Sequence, residues 1–163
     1  MRERQIQRGQ DWLAELLKLM GIPAEVKITQ IGGDVGEPNL CWLTIDETNL
    51  TPEQKERLIG EKGETIDAIQ YLANTILNIG VKPENQGAFT VELDGYRVKR
   101  EAELFALVEE VAEKVRQTGQ EVQLPPLSSA ERRQVHTFLQ DSEDLATESR
   151  GQEPERRVFV RRR

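Results

Sequence analysis

The chain has a single cysteine and a single histidine in 163 residues, and these two scarcities exclude much chemistry. With Cys41 alone, neither an internal disulfide nor a cysteine-based metal cluster can form. Cys41 stands in an alternating, strand-like run, where a small apolar side chain ordinarily packs in the core. One histidine and one cysteine in separate segments do not make a nucleophile and base, and no HExxH, Walker A or GxSxG pattern occurs. Carboxylate pairs such as Glu109-Glu110 and Asp46-Glu47 fall on solvated faces or turns. No enzyme, catalytic residue, metal site or cofactor is therefore expected. No apolar stretch approaches the roughly 18 residues that a membrane-crossing helix needs. With 37% hydrophobic and 31% charged residues, the composition is that of a soluble, cytoplasmic protein without membrane insertion. Residues 1–10 are polar and charged, and the segment after them is amphipathic, so no signal peptide is read.

The net charge of −7 is unevenly spread. Residues 1–95 hold 9 Lys and Arg against 16 Asp and Glu, a net of −7, whereas residues 96–163 hold 13 of each, a net of 0. The second half clusters its positive charge at Arg97-Lys99-Arg100, at Arg132-Arg133 and in a basic C-terminal tail over residues 150–163. An acidic average permits nucleic-acid binding through a local basic patch, with modest affinity that falls with salt.

Trp12, Leu13, Leu16, Leu17 and Met20 form one apolar helical face, ended by Gly21 and Pro23. Strand-like alternation follows over 24–29 and 40–46, joined by a Gly-rich loop over 32–39. Thr51-Pro52-Glu53-Gln54 is a capping box with proline in the first turn. Ile66, Ile69, Ala73, Ile76 and Leu77 recur at helical spacing as far as Gly80. Phe89, Val91 and Leu93 alternate as a third strand ending at Asp94-Gly95. A long helix is expected over about 97–118, then a short strand within 121–124 and a stop at Pro125-Pro126. Arg97, Lys99 and Arg100 at the start of that helix read equally as a solvated end and as a phosphate-contacting cluster. Ser128-Ser129-Ala130-Glu131 opens another helix with a capping box.

Two short patterns carry the functional signal. Gly60-Glu61-Lys62-Gly63 separates two helical segments. A Gly-x-x-Gly turn lets a nucleic-acid backbone approach closely and aims free helix amides at phosphate. The run Leu58-Ile59-Gly60-Glu61-Lys62-Gly63-Glu64-Thr65-Ile66-Asp67-Ala68-Ile69-Gln70-Tyr71-Leu72 resembles the KH domain of the bacterial Jag (KhpB) family, and such turns clamp about four nucleotides. In the next helix, Arg132 and His136 lie at i and i+4 on one flank, with Arg133 pointing further outward. Residues 125–136, followed by Thr147-Glu148-Ser149-Arg150-Gly151-Gln152-Glu153-Pro154-Glu155-Arg156-Arg157-Val158, resemble the R-3-H (Arg, three residues, His) domain of the same family. Both resemblances occur in the family's order.

The resemblance implies an α+β chain: a type II KH domain (α-β-β-α-α-β) over 1–95 and a small α+β R-3-H domain over 96–163. Many family members carry an additional N-terminal domain, and this sequence is expected to be a form without it. The implied function is binding of single-stranded RNA, with single-stranded DNA as a second candidate, in a post-transcriptional regulator or RNA chaperone. The expected KH contacts are Ile59, Gly60, Glu61, Lys62 and Gly63, with Ile59 and Ile66 readable either as an apolar floor for bases or as core. The expected R-3-H contacts are Arg132, Arg133, His136, Arg150 and Arg156, with Arg157 able to join them. Arg161-Arg162-Arg163 reads as a mobile electrostatic contact or a solvated terminus. The implied protein partner is a second, smaller KH protein, or self-association. The alternative is a protein-interaction adapter whose KH surface dimerises with little RNA contact.

Overall fold

A computed structural model of the chain describes residues 3–31 and 40–163, so the loop expected over 32–39 lies outside the described residues. The chain divides into two compact units, Met1–Arg97 and Val98–Arg163. The architecture is α+β, as the composition of motifs implies.

The first unit runs α1 (Glu3–Leu19), β1 (Val26–Ile31), β2 (Leu40–Ile45), α2 (Pro52–Ile59), a single 3-10 turn (Glu61–Gly63), α3 (Glu64–Leu77) and β3 (Ala88–Leu93). The order α-β-β-α-α-β is the expected one, and β1 begins and ends two residues later than the alternation suggested. The strands are ordered β1-β2-β3; β1 pairs antiparallel with β2, and β2 pairs parallel with β3. In that register Cys41, Leu43 and Ile45 stand beside Phe89, Val91 and Leu93. All six are buried with Leu13 and Leu17 of α1 and Ile66, Ile69, Ala73 and Leu77 of α3. The thiol of Cys41 is raised in pKa by that burial and is a core group. Gly9 brings α1 close to the sheet, since a Cβ there would come within 2.7 Å of Phe89 Cε1.

Two side-chain amides of α3, Gln70 and Asn74, and that of its C-cap residue Asn78 cover the free edge of β3. Gln70 Oε1 accepts from Val91 N at 3.0 Å. Asn74 accepts from Phe89 N at 2.9 Å and donates to Phe89 O at 2.7 Å. Asn78 accepts from Gly87 N at 2.9 Å and donates to Gly87 O at 2.8 Å. Four residues along a helix advance about 6 Å and two along a strand about 6.6 Å, so the two repeats stay in step. The edge is thereby closed to an added strand.

The second unit comprises most of α4 (Tyr96–Thr118), then β4 (Val122–Gln123), α5 (Ser129–Leu139), β5 (Leu145–Arg150) and β6 (Arg157–Arg162). Its sheet is antiparallel in the order β4-β6-β5. Leu104, Val108, Val111 and Val115 of α4 bury against Val135, Leu139, Leu145, Val158 and Val160. Phe105 and Phe138 meet edge to face with centroids 5.3 Å apart. The hairpin of β5 and β6 corrects the reading of the C-terminus as a mobile tail. Val158 and Val160 alternate into the core, which commits Arg161 and Arg162 to the strand. Arg163 Nε donates to Leu145 O at 2.8 Å, and Arg162 donates to Arg116 O.

Candidate nucleic-acid interface

In the first unit the capping box is formed as expected: Thr51 Oγ1 accepts from Gln54 N, and Gln54 Oε1 accepts from Thr51 N. Such a cap contributes about 1 kcal/mol to the helix. At the other end of α2, Gly60 takes φ 75°, ψ 175° and its amide donates to Glu56 O at 2.7 Å. Lys62 at φ 50° and Gly63 at φ 81° complete a left-handed turn that delivers the chain into α3.

Both glycines are required from inside the protein. A Cβ on Gly60 would lie 2.4 Å from Thr65 Oγ1, and one on Gly63 would lie 1.9 Å from the hydroxyl oxygen of Tyr96. Gly63 is buried, while Glu61 and Lys62 are exposed and face solvent at the apex. Ile66 is fully buried and is core; Ile59 is half-buried beside it. The turn's charge is mixed, since Glu61 and Glu64 flank Lys62. The next carboxylate, Asp67, is paired by Arg97.

Arg97 does not contact solvent phosphate from a free helix end. Its guanidinium donates to Asp67 and Gln70 and, through Nε, to Val91 O at 3.2 Å. Its backbone amide donates to Glu92 Oε2 at 3.2 Å, so the buried Glu92 carboxylate stands at the start of α4. Arg100 Nε donates to Glu131 Oε1 at 2.6 Å. Arg97 and Arg100 of the basic cluster read at 97–100 therefore stabilise structure, because each found a carboxylate that sequence spacing does not reveal.

In the second unit the capping box of Ser128 and Glu131 starts α5 as expected. Arg132 is only 7% exposed. Its Nη1 donates to Leu127 O at 2.8 Å and its Nη2 pairs with Glu153 in the loop joining β5 and β6. His136 is half-buried, and its Nδ1 shares a 2.6 Å hydrogen bond with Thr147 Oγ1 on β5. The two side chains that define the motif thus tie α5 to the hairpin at two points. Arg133 is exposed on the same helix, and Arg156 is exposed on the hairpin loop. Neither makes an ion pair among the described residues.

Arg150 is held by Glu121 at 2.7 Å and Glu148 at 2.8 Å and lies over the ring of Phe159 at 4.5 Å. The hydrogen bonds it donates to Glu121 and then Glu148 raise its pKa, and the same contacts hold both carboxyls below the usual glutamate range. Arg157 Nη2 pairs with Glu155 at 2.7 Å. Sequence reading missed Thr147 and Glu153 as partners. A polar residue on the strand after an R-x-x-x-H helix was the available sign of the first. Among the described residues no group of acidic, histidine or cysteine side chains could hold a metal ion, and no helix is long and apolar enough to cross a membrane.

The family model for the R-3-H domain matches residues 102–162. The chain is thus a protein of the R-3-H-domain class. It is 35% identical over 114 residues to "RNA-binding protein KhpB" of Clostridium symbiosum, covering 69% of this chain and 50% of that one. It is 33% identical over 154 residues to the protein of that name from Lactiplantibacillus plantarum, covering 92% and 42%. Against that from Bacillus subtilis it is 31% identical over 114 residues, covering 69% and 54%. The chain is thus similar to the KhpB (Jag) family, and it spans about half the length of these relatives.

Proposed function

We propose that this chain binds single-stranded RNA through two modules, a type II KH domain over 1–95 and an R-3-H domain over 96–163. The observation that carries the reading is the Gly60–Gly63 turn between α2 and α3, upstream of an R-3-H match, in a chain whose relatives are named RNA-binding proteins. Lys62 contacts phosphate at the turn, with backbone amides of α3 behind it. Glu61 sits beside it and weakens the attraction. Arg133 and Arg156 contact phosphate directly, and His136 stacks or hydrogen-bonds with its free edge. Arg132 positions the hairpin loop, and Arg150 contributes once released from its carboxylates. Two weak grips on one chain reinforce each other through effective concentration. The protein is not an enzyme; it acts in the cytoplasm as a post-transcriptional regulator or RNA chaperone.

A specific feature favours a second reading alongside the first. Tyr71 (71% exposed), Leu72 and Ile79 (67% exposed) lie outward on and just beyond α3. An adapter that joins a second, smaller KH protein or another copy of this chain would use such a face.

Fluorescence anisotropy with a short single-stranded RNA tests the RNA reading. Glu61→Asp/Lys62→Asp makes an exposed turn more acidic and leaves the core untouched, so binding should be lost while the thermal midpoint stays. Wild-type protein that binds no RNA at low salt, yet retains its protein partner after nuclease treatment, would establish the adapter instead.

A further inference from the structure

Away from the Gly60–Gly63 turn, the first unit gathers three of its few cations around one cavity. Arg4 and Arg8 are one helical turn apart on α1, and Lys82 lies on the segment between α3 and β3. The three line a cavity of about 490 Å³. All three are exposed, and none makes an ion pair with a carboxylate among the described residues. By contrast Lys27 and Lys55 in the same unit are paired with Asp46 and Asp94. In a half-chain with 9 basic against 16 acidic residues, an unneutralised basic trio is not the average outcome.

The cavity is also built. Gln5 Nε2 donates to Asn85 O at 2.9 Å, tying α1 to the segment that carries Lys82. Gly80, at φ 72°, forms part of the lining with no neighbour within 4 Å of where a Cβ would stand, so the wall there is open to a ligand. Arg4 and Arg8 also line an adjoining concavity of about 590 Å³ with Trp12 and Ile76. Cations beside an indole are the usual makings of a single-strand site, where phosphates are held and a base stacks. Asp11 and Glu15 also line it and are engaged with Gln7 and Lys18.

We infer that Arg4, Arg8 and Lys82 form a second phosphodiester-binding subsite for single-stranded RNA, with Trp12 available to stack a base. This rests on the RNA-binding reading and extends it. The site follows the C-terminal end of α3, whereas the Gly60–Gly63 turn precedes its N-terminal end. The helix between them is about 21 Å long at 1.5 Å per residue. An RNA that only fills the turn, about four nucleotides, leaves the cavity unoccupied.

The test is anisotropy of the full chain with a single-stranded RNA of about twelve nucleotides, across a salt series. Arg4→Ala/Arg8→Ala should lower affinity about tenfold and reduce the slope of log K against log salt by about 1.4, the loss of two phosphate contacts. Lys114→Glu makes the same change in net charge at an exposed position of the second unit and should change affinity less than about twofold. Circular dichroism should give one thermal midpoint for all three proteins, since the substituted side chains are exposed. Equal affinity and slope in wild type and Arg4→Ala/Arg8→Ala would overturn this subsite and leave the Gly60–Gly63 grip standing. Wild type that binds no RNA overturns both. Adenosine triphosphate that binds wild type but not Arg4→Ala/Arg8→Ala, while RNA affinity is equal in the two proteins, would assign the cavity to a free nucleotide and overturn the RNA assignment.

Discussion

The hydroxyl of Tyr96 fills the space that a side chain on Gly63 would occupy, with 1.9 Å between its oxygen and the position of a Cβ. The second glycine of the turn is thus held by packing as well as by its left-handed backbone at φ 81°. Gly63→Ala should cost about 2–4 kcal/mol, combining backbone strain with overpacking. Tyr96→Ala removes the obstructing ring, so the double variant should be more stable than the sum of the two single losses predicts. A coupling of at least about 1 kcal/mol in urea unfolding is expected. Strict additivity would show that the two residues do not compete for the same space.

Asn74 makes two hydrogen bonds to one residue of β3, Phe89, and among the described residues it is the side chain bonded to those backbone groups. Asn74→Leu leaves both groups unmatched and should cost about 2–4 kcal/mol. Asn74→Asp keeps the acceptor for Phe89 N and loses only the donor. Amide exchange separates the two outcomes: the Phe89 amide should exchange faster in Asn74→Leu and remain protected in Asn74→Asp. Equal protection in both would mean that the amide ladder does not close the edge.

Local signals were legible in the sequence, and pairings across the chain were not. The capping boxes at Thr51 and Ser128 each depend on residues three apart, and both are formed. The alternation of Cys41, Leu43 and Ile45 reports one buried face, and that face is buried. The Gln70, Asn74, Asn78 ladder has helical spacing, but its meaning depends on a strand that begins ten residues further on. Strand β5 was missed because Leu145-Ala146-Thr147-Glu148-Ser149-Arg150 buries only Leu145 fully, which leaves little apolar alternation. Strand β6 was masked by its arginines, although Val158 and Val160 carried the period of two. The arginines at 97 and 100 read as free cations for the same reason: their acceptors, Asp67 and Glu131, are about thirty residues away.

Arg132 and Arg133 are neighbours in sequence with opposite surroundings, one buried and hydrogen-bonded, the other exposed. Arg132→Ala frees the Leu127 carbonyl and detaches Glu153, so it should lose about 1–3 kcal/mol of stability. Arg133→Ala should stay within about 0.5 kcal/mol of wild type while lowering RNA affinity. Thermal midpoints and anisotropy measured on both variants decide between the roles. Full stability in Arg132→Ala together with lost binding would make Arg132 a direct contact.

Asp46 accepts from Lys27 Nζ at 2.5 Å, Thr48 Oγ1 at 2.5 Å and Thr48 N at 2.9 Å. The hydrogen bond from Lys27, then those from Thr48, hold its carboxyl well below the usual aspartate range. A depressed folded pKa contributes stability above the unfolded value of about 3.9 and loses it as pH falls toward the folded one. The stability gap between wild type and Asp46→Asn should therefore be constant at neutral pH and narrow below about pH 4. Urea midpoints across pH 2–7 would show it, in low salt because the Lys27 side of the pair is open to solvent. A gap independent of pH would remove the carboxylate from the account.

Arg150 presents a guanidinium already engaged by Glu121 and Glu148, so phosphate must compete with two internal carboxylates for it. Glu121→Gln/Glu148→Gln removes the competition without removing side-chain bulk. One released charge-assisted contact is worth about 1 kcal/mol, or about fivefold in affinity. RNA affinity should rise by that amount, and the salt dependence should steepen as one more phosphate is engaged. Glu109→Gln/Glu110→Gln makes the same change in net charge on exposed positions of α4 and should give less than about twofold. Adding Arg150→Ala to the Glu121→Gln/Glu148→Gln protein should cancel the gain. A gain that survives Arg150→Ala would come from the loss of acidic charge alone, and Arg150 would then be a strut from β5 to Glu121, the residue before β4, with Phe159 beneath it.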